Sequence, residues 1–342
     1  VFKNLTIYRI GPGWQPDAGR LEQALATELF AECSATQQKA TGWVPPRGQA
    51  HGAFLEVVDG QWIMKFMIET KSVPAEAVRR KVEEQAAAIE ATQGRKPGKK
   101  ELRDMKDDAL AALLPQAFAR RSAVLAWIDP EARLLVLDAG GQGKADEVTT
   151  SLIRVAGGGA GALQLALLQT QVTPQAAMAR WLAAEDADEV PEAFGIEREC
   201  ELKGSGEQPA VVRFARHPLE TPEVRQHIAE GKLPTRLALS WQGRVGFILT
   251  QAMQLKKLGF MEGVFDDADT PQNRDERFDA DVALFTGELA RLLPDLVEAL
   301  GGEMAEPGAM LTTAAAPPVP PSAPPAPAVP LTDTSDDLGP PF

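Results

Sequence analysis

Between residues 62 and 68 the apolar residues Trp62, Met64, Phe66 and Ile68 alternate with Ile63, Lys65 and Met67. A period of two predicts a strand with one well-buried face. After Pro74 the period changes: Val78, Val82, Ala86 and Ile89 fall at helical spacing, and a polar helix continues the run. Pro97-Gly98 should break it, and a second helical pattern runs from Leu102 to Leu114. Two hairpins are expected. Residues 123–128 and 133–138 are apolar runs joined by Asp129-Pro130-Glu131-Ala132, and residues 235–241 and 245–250 are joined through Gln242-Gly243. Leu289, Leu293, Leu296 and Leu300 form the stripe of a last helix, which Pro294 should interrupt and kink. Hairpin-paired strands with helices set between the pairs predict an α+β fold with antiparallel sheets and helical insertions. Gly157-Gly158-Gly159-Ala160-Gly161 is expected to be a joint between two parts of the fold. No repeat appears at the 20–50-residue periods of solenoids.

The pattern stops near residue 304. From Pro307 onward the chain is mostly Ala, Pro, Thr and Ser, with eleven prolines and no basic residue. Such a segment cannot bury enough apolar area to offset its ordering entropy, so a disordered linker is expected. The predicted organisation is a folded region over 1–303, with a helical tip at roughly 74–120, and a tail over 304–342.

Composition narrows the class. Apolar residues make up 44% and charged residues 24% of the 342, as in globular proteins. No stretch approaches the ~18 apolar residues of a membrane span, and the N-terminus shows no basic region followed by an apolar run, so no signal peptide is expected. Cys33 and Cys200 are lone thiols, which argues for a reducing, cytoplasmic compartment. The net charge of -13 appears hostile to nucleic acid, yet binding depends on where charges sit. Residues 79–121 hold eleven Lys/Arg against seven Asp/Glu, and residues 210–257 hold eight against three. Between them, 181–208 holds nine acids and only Arg198 and Lys203. This predicts a confined basic surface on an acidic exterior.

Enzymatic motifs mostly fail. Leu134 to Asp138 followed by Gly140-Gly141-Gln142-Gly143-Lys144-Ala145 has the order strand, glycine loop, helix. A phosphate-cradling loop needs Gly where Asp138 stands and Ser or Thr where Ala145 stands, so a simple turn is expected. His51, His217 and His227 have no metal-ligand spacing. A Ser-His-Asp set assembled in space stays open, although no GxSxG elbow is present. The best enzymatic lead is the acidic group Asp275, Glu276, Asp279, Asp281 and Glu288; Asp279 and Asp281 would share one face of a strand, as two-metal nuclease ligands can, and with Glu288 they are the candidate ligands. Arg274 and Arg277 are close enough to pair with them, and a following helix would use acids in its first turn.

Several ordered segments resemble the recombination-associated RdgC family of bacteria. They are Phe2-Lys3-Asn4-Leu5 with Tyr8-Arg9; Gly42-Trp43-Val44-Pro45-Pro46; and Ile89-Glu90-Ala91 with Gln93 and Arg95-Lys96. Leu113-Leu114-Pro115, Ala117-Phe118 and Arg120 follow, then Leu237-Ala238-Leu239 with Trp241-Gln242 and Arg244. Arg277-Phe278-Asp279-Ala280-Asp281, Thr286-Gly287-Glu288-Leu289 and Leu300-Gly301-Gly302-Glu303 close the set, which covers about 300 residues. The resemblance implies a non-enzymatic, nucleoid-associated homodimer without cofactor, closed into a ring whose basic hole takes double-stranded DNA. Binding in that family is sequence-independent and restrains the RecA recombinase by competition. On this resemblance Arg95 and Lys96 are DNA contacts on the helical tip, joined by the neighbouring Lys99, Lys100 and Arg120. Arg216, His217 and Lys232 are a second contact group, and Phe118 helps close the ring. Gln116 stands where relatives can carry Arg, and His217 replaces an amide-type residue.

The tail departs from that family. Its end, Asp333 to Phe342, resembles the acidic tip of bacterial single-stranded DNA-binding proteins. This implies a hook of Asp336, Asp337, Leu338, Pro341 and Phe342 for proteins that bind such tips, although Gly339-Pro340 departs from their spacing. Three functions are therefore in play: a DNA-encircling protein, a metal-dependent nuclease, and a protein-only adaptor acting through its tail.

Overall fold

The computed structural model describes residues 2–158, 161–185, 189–207, 209–261 and 273–304. The tail expected to be disordered lies outside the described residues, as do Gly159 and Ala160 of the glycine cluster. Among the described residues the strands are β1 Leu5–Ile10, β2 Lys39–Val44, β3 Leu55–Val58, β4 Gln61–Lys71, β5 Ala119–Asp129, β6 Leu134–Asp138, β7 Leu165–Leu167, β8 Phe194–Lys203, β9 Val211–Ala215, β10 Leu233–Trp241, β11 Val245–Thr250 and β12 Leu255–Phe260. The helices are α1 Ala18–Leu25, α2 Ala75–Gln93, α3 Lys99–Leu113, α4 Gln142–Ala156, α5 Pro174–Ala183, α6 Pro222–Ala229 and α7 Arg274–Ala299. The expected α+β class holds, with one sheet in place of several.

That sheet has the spatial order β2-β4-β5-β6-β1-β12-β11-β10-β8-β9, with β3 beside β4 and β7 beside β1. Each pairing of named strands is antiparallel. Both expected hairpins form. Asp129 accepts hydrogen bonds from the Glu131 and Ala132 amides to turn β5 into β6. Gln242 and Gly243 both have positive φ, the backbone that a two-residue hairpin turn requires.

Strand β1 joins the two halves of the sheet. One edge pairs with β6; the other meets β12 at Leu5↔Leu255 and β7 at Tyr8 to Ile10. Its side chains alternate between two cores. Leu5 and Ile7 join Trp127, Val136, Leu239, Phe247, Leu289 and Leu293. Tyr8 and Ile10 join Trp43, Met64, Phe66, Leu135, Val148 and Leu152. Helices α1 and α4 cover the second core, and α5, α6 and α7 cover the first. Trp62, Met64, Phe66 and Ile68 of β4 all enter the second core, as the alternation predicts, but Ile63 on the opposite side is buried in the first core, so both faces of the strand contribute.

Helix α7 brings two corrections. It begins at Arg274, so Arg277 to Asp281 are helical and not a strand. It also runs through Pro294 to Ala299 without the expected interruption. Proline cannot donate to the preceding turn, but burial of Leu289, Leu292, Leu293, Leu296 and Leu300 and the Trp241-to-Asp295 hydrogen bond (2.8 Å) hold the last turns in place.

Gly42 answers to a close backbone approach. Residues 28–30 lie against β2, with Phe30 N donating to Trp43 O at 3.1 Å and Trp43 N donating to Glu28 O at 2.9 Å. A Cβ on Gly42 would sit 2.4 Å from the Phe30 N and Cα atoms. Gly42→Ala should therefore destabilise the fold by about 1–3 kcal/mol through overpacking. Urea unfolding would show this as a lower midpoint; an unchanged midpoint would contradict the contact.

Candidate nucleic-acid interface

Helices α2 and α3 form a hairpin inserted between β4 and β5. Within the two helices only Val78 and Ala109 are fully buried, so the pair stands off the sheet and lies mainly against itself. Its turn is built locally. Gly94 ends α2 with φ 66°, the left-handed cap that glycine permits. Glu101 accepts from the Gly98 amide at 2.7 Å and takes both Arg95 nitrogens at 2.7 and 2.8 Å. These bonds hold the Glu101 carboxyl at about 2, with Arg95 the larger cause and the Gly98 amide next. Arg95 thus braces the turn while staying exposed. Lys96, Lys99 and Lys100 surround it, exposed and without an ion-pair partner among the described residues.

At the base of the hairpin, Phe118 is 94% exposed. This settles its position: it is not a core residue. Arg120 beside it is exposed and has no ion pair among the described residues, whereas Arg121 pairs with Glu69 and Glu32. A groove of about 510 Å³ runs along the hairpin, lined by Val73, Val78, Val82, Leu102 and Leu110 together with two cations, Arg79 and Lys106, and two acids, Glu83 and Asp107.

The second predicted group lies between β9 and β10. Arg216 follows β9 with φ 56°, a left-handed conformation disfavoured for a side chain with a Cβ. It is exposed and has no ion pair among the described residues. Phe214 lies between two imidazoles, its ring centroid 5.6 Å from His217 and 6.1 Å from His227. His217 is fixed further: Nδ1 lies 2.5 Å from the Pro218 carbonyl oxygen, and its amide donates to Arg198 O. Lys232 is tied down, its ammonium 2.7 Å from Glu230 and 3.1 Å from His227 Nδ1. Sequence spacing did not show the convergence of two histidines on one phenylalanine, because the strand-loop-helix path that makes it is not periodic.

The acidic lead comes apart. Asp279 and Asp281 are two residues apart on α7 and therefore point in different directions, at ~100° per residue. Asp279 meets Arg47 at 2.5 Å. Glu288 is buried and meets Arg244 at 2.6 Å and Arg291 at 2.5 Å. Among the described residues no group of three His, Cys, Asp or Glu is placed to hold a metal. The glycine loop after β6 is structural: Asp138 accepts hydrogen bonds from the Lys3 and Asn4 amides. No helix among the described residues is long and apolar enough to cross a membrane.

The hook residues Asp336, Asp337, Leu338, Pro341 and Phe342 lie outside the described residues.

A family model described as "Putative exonuclease, RdgC" matches residues 1–303. A protein of Dechloromonas aromatica named "Recombination-associated protein RdgC" is 41% identical over 309 residues, covering 89% of this chain and 99% of its own length. One of the same name from Herminiimonas arsenicoxydans is 42% identical over 306 residues, with 89% and 99% covered. Another from Cupriavidus pinatubonensis is 40% identical over 303 residues, with 88% and 98% covered.

Glu288 has a pH signature of its own. The Arg244 hydrogen bond, opposed by burial, lowers its carboxyl below the ordinary 4.5. The stabilisation is complete above 4.5 and is lost as pH falls through the depressed value. Glu288→Gln should cost about 2 kcal/mol at neutral pH and flatten the acid limb of a stability-versus-pH curve. An acid limb identical to that of the parent would contradict the assignment.

Proposed function

The chain belongs to the RdgC family, and we propose that it binds double-stranded DNA without sequence preference as a ring-shaped homodimer with a role in recombination. The observation that carries this reading is the α2–α3 hairpin. It contributes little buried area to the fold, presents cations at its turn, and ends in an almost wholly exposed phenylalanine. A hairpin that does not stabilise the core is best explained by what it touches outside the chain.

The cations at the turn, Arg95, Lys96, Lys99 and Lys100, are phosphate contacts, and Arg120, Arg216, His217 and Lys232 extend the same function. Phosphate contacts position a protein on the duplex and carry no sequence information. Because Phe118 and the apolar groove belong to one hairpin, a two-fold contact places each phenylalanine against the other protomer's hairpin and satisfies both exposed surfaces at once. Two protomers closed in this way surround the duplex and compete with a RecA-type recombinase for it. The residues 305–342 would then recruit repair proteins that recognise short acidic motifs ending in an aromatic residue.

Binding measured across salt tests the DNA reading. The affinity should fall linearly on a log–log plot, with a slope of about -0.9 per phosphate contacted. Salt-insensitive binding, or none, would contradict it. The same duplex incubated with magnesium or manganese tests the activity that the family model's description names. Intact ends agree with binding alone, and shortened ends would replace it with catalysis.

Phe118→Ala separates assembly from folding. Its unfolding midpoint should stay within about 0.5 kcal/mol of the parent, as for exposed positions generally, while sedimentation shows a weaker dimer. An undiminished dimer would remove Phe118 from the contact.

A further inference from the structure

The chain leaves the fold beside an apolar groove. Between the last turns of α7 and the sheet lies a cavity of about 560 Å³, with Leu134, Leu168, Leu293, Pro294 and Val297 on its walls. Its charged lining is Arg9, Glu298 and Glu303. Arg9 and Glu303 hold each other, Nε donating to Oε1 at 2.7 Å, and Glu298 has no ion pair among the described residues. The residues just before the exit, Gly301 to Glu303, are themselves part of the lining. An apolar hollow rimmed by polar groups marks a place where something docks.

The direction of the exit is fixed. Thr170 and Glu303 form an antiparallel bridge, Gln171 N donates to Gly302 O at 2.9 Å, and Met304 N donates to Gln169 O at 3.0 Å. Continued, this register sets Ala305 opposite Leu168 of the groove, Glu306 opposite Leu167 and Pro307 opposite Ala166. Among the described residues β7 pairs with no strand besides β1, so its other edge is open. Leu168 N donates to Ile7 O, so the backbone groups of Ala166 and Leu168 face β1 and those of Leu167 face the open edge. Pro307 then falls where the ladder requires no N–H. Opposed residues share a face, so Ala305 lies on the groove side and the charge of Glu306 is carried to the other. Pro307-Gly308 suits the central pair of a type II turn, which returns the chain towards the groove. Met310 and Leu311 come next, the first large apolar residues past Met304 and within about 20 Å of it along the chain. Residues 312–330 contain no Leu, Ile, Met or aromatic residue. The acids near the terminus, Asp333, Asp336 and Asp337, are repelled by Glu298, which favours the near segment over the tip as occupant.

We propose that the groove at the end of α7 is the seat of the chain's own segment 305–311, with Ala305-Glu306 extending the open edge of β7 and Met310 and Leu311 filling the hollow. The seat does not depend on DNA binding. It removes an apolar pair from water and sets the point from which the rest of the tail departs. From there the proline-rich residues 312–330 can hold the acidic tip up to about 60 Å away, at ~3.1 Å per residue.

Amide hydrogen exchange on the purified full chain tests the seat, with rates corrected for local sequence. The amides of Ala309, Met310 and Leu311 should exchange about tenfold more slowly than those of residues 312–316, the scale expected for burying two apolar side chains. The protection should be the same at high and low protein concentration. Met310→Asp with Leu311→Asp should abolish it and speed exchange at Leu167, while Met310→Leu with Leu311→Met retains it. Both pairs lie beyond the folded residues, so neither variant puts the fold at risk. Equal exchange of the two segments in the parent would overturn the seat. Protection that vanishes on dilution would overturn it too, by assigning the groove to a second copy. Protection that survives the double aspartate variant would overturn the assignment of Met310 and Leu311.

Discussion

Strand β1 is buried on both faces and paired on both edges, and the rest of the molecule is arranged around that constraint. Six residues must supply two cores at once, which they do by strict alternation: Leu5 and Ile7 to one, Tyr8 and Ile10 to the other. A slip of one residue would exchange the two sets. The joint to the C-terminal half is short in backbone terms. Beyond Leu5↔Leu255 it is secured by Leu258 N donating to Lys3 O and by Gln254 donating to the Thr6 hydroxyl. Helix α7 compensates by packing across the joint, and the Arg9–Glu303 ion pair ties its far end back to β1.

With the core placed centrally, the ends of the sheet and its insertions are free for other work. The α2–α3 hairpin leaves near one end, between β4 and β5, and the β9 edge with Arg216 closes the other. These are the two places where the sequence is locally basic. An acidic chain can carry such surfaces because its charges are unevenly placed: residues 79–121 and 210–257 hold more Lys/Arg than Asp/Glu, whereas 181–208 holds nine acids and two cations. The field at a given surface depends on this local distribution and not on the net charge alone.

Elements with a clean period were legible in the sequence. The β4 alternation, the α2 and α3 patterns, and the β5–β6 and β10–β11 hairpins all stand where spacing and turn residues put them. What depends on distant pairing was not. The Leu5↔Leu255 joint spans 250 residues and leaves no local signal. The start of α7 was misread because Asp279 and Asp281 mimic a period of two, whereas Asn273 is the cap that begins a helix there. Phe118 could be placed either way from sequence, since an isolated aromatic fits a core or a contact, and its exposure removes it from the core.

The central claim is that two protomers surround the duplex instead of resting on it. Retention on DNA of different topology tests this most directly. After loading on a closed circular plasmid and a high-salt wash, an encircling dimer should stay bound and be released when the plasmid is cut once. Equal loss from circular and linear DNA under the same wash would contradict encirclement, whatever the affinity at low salt.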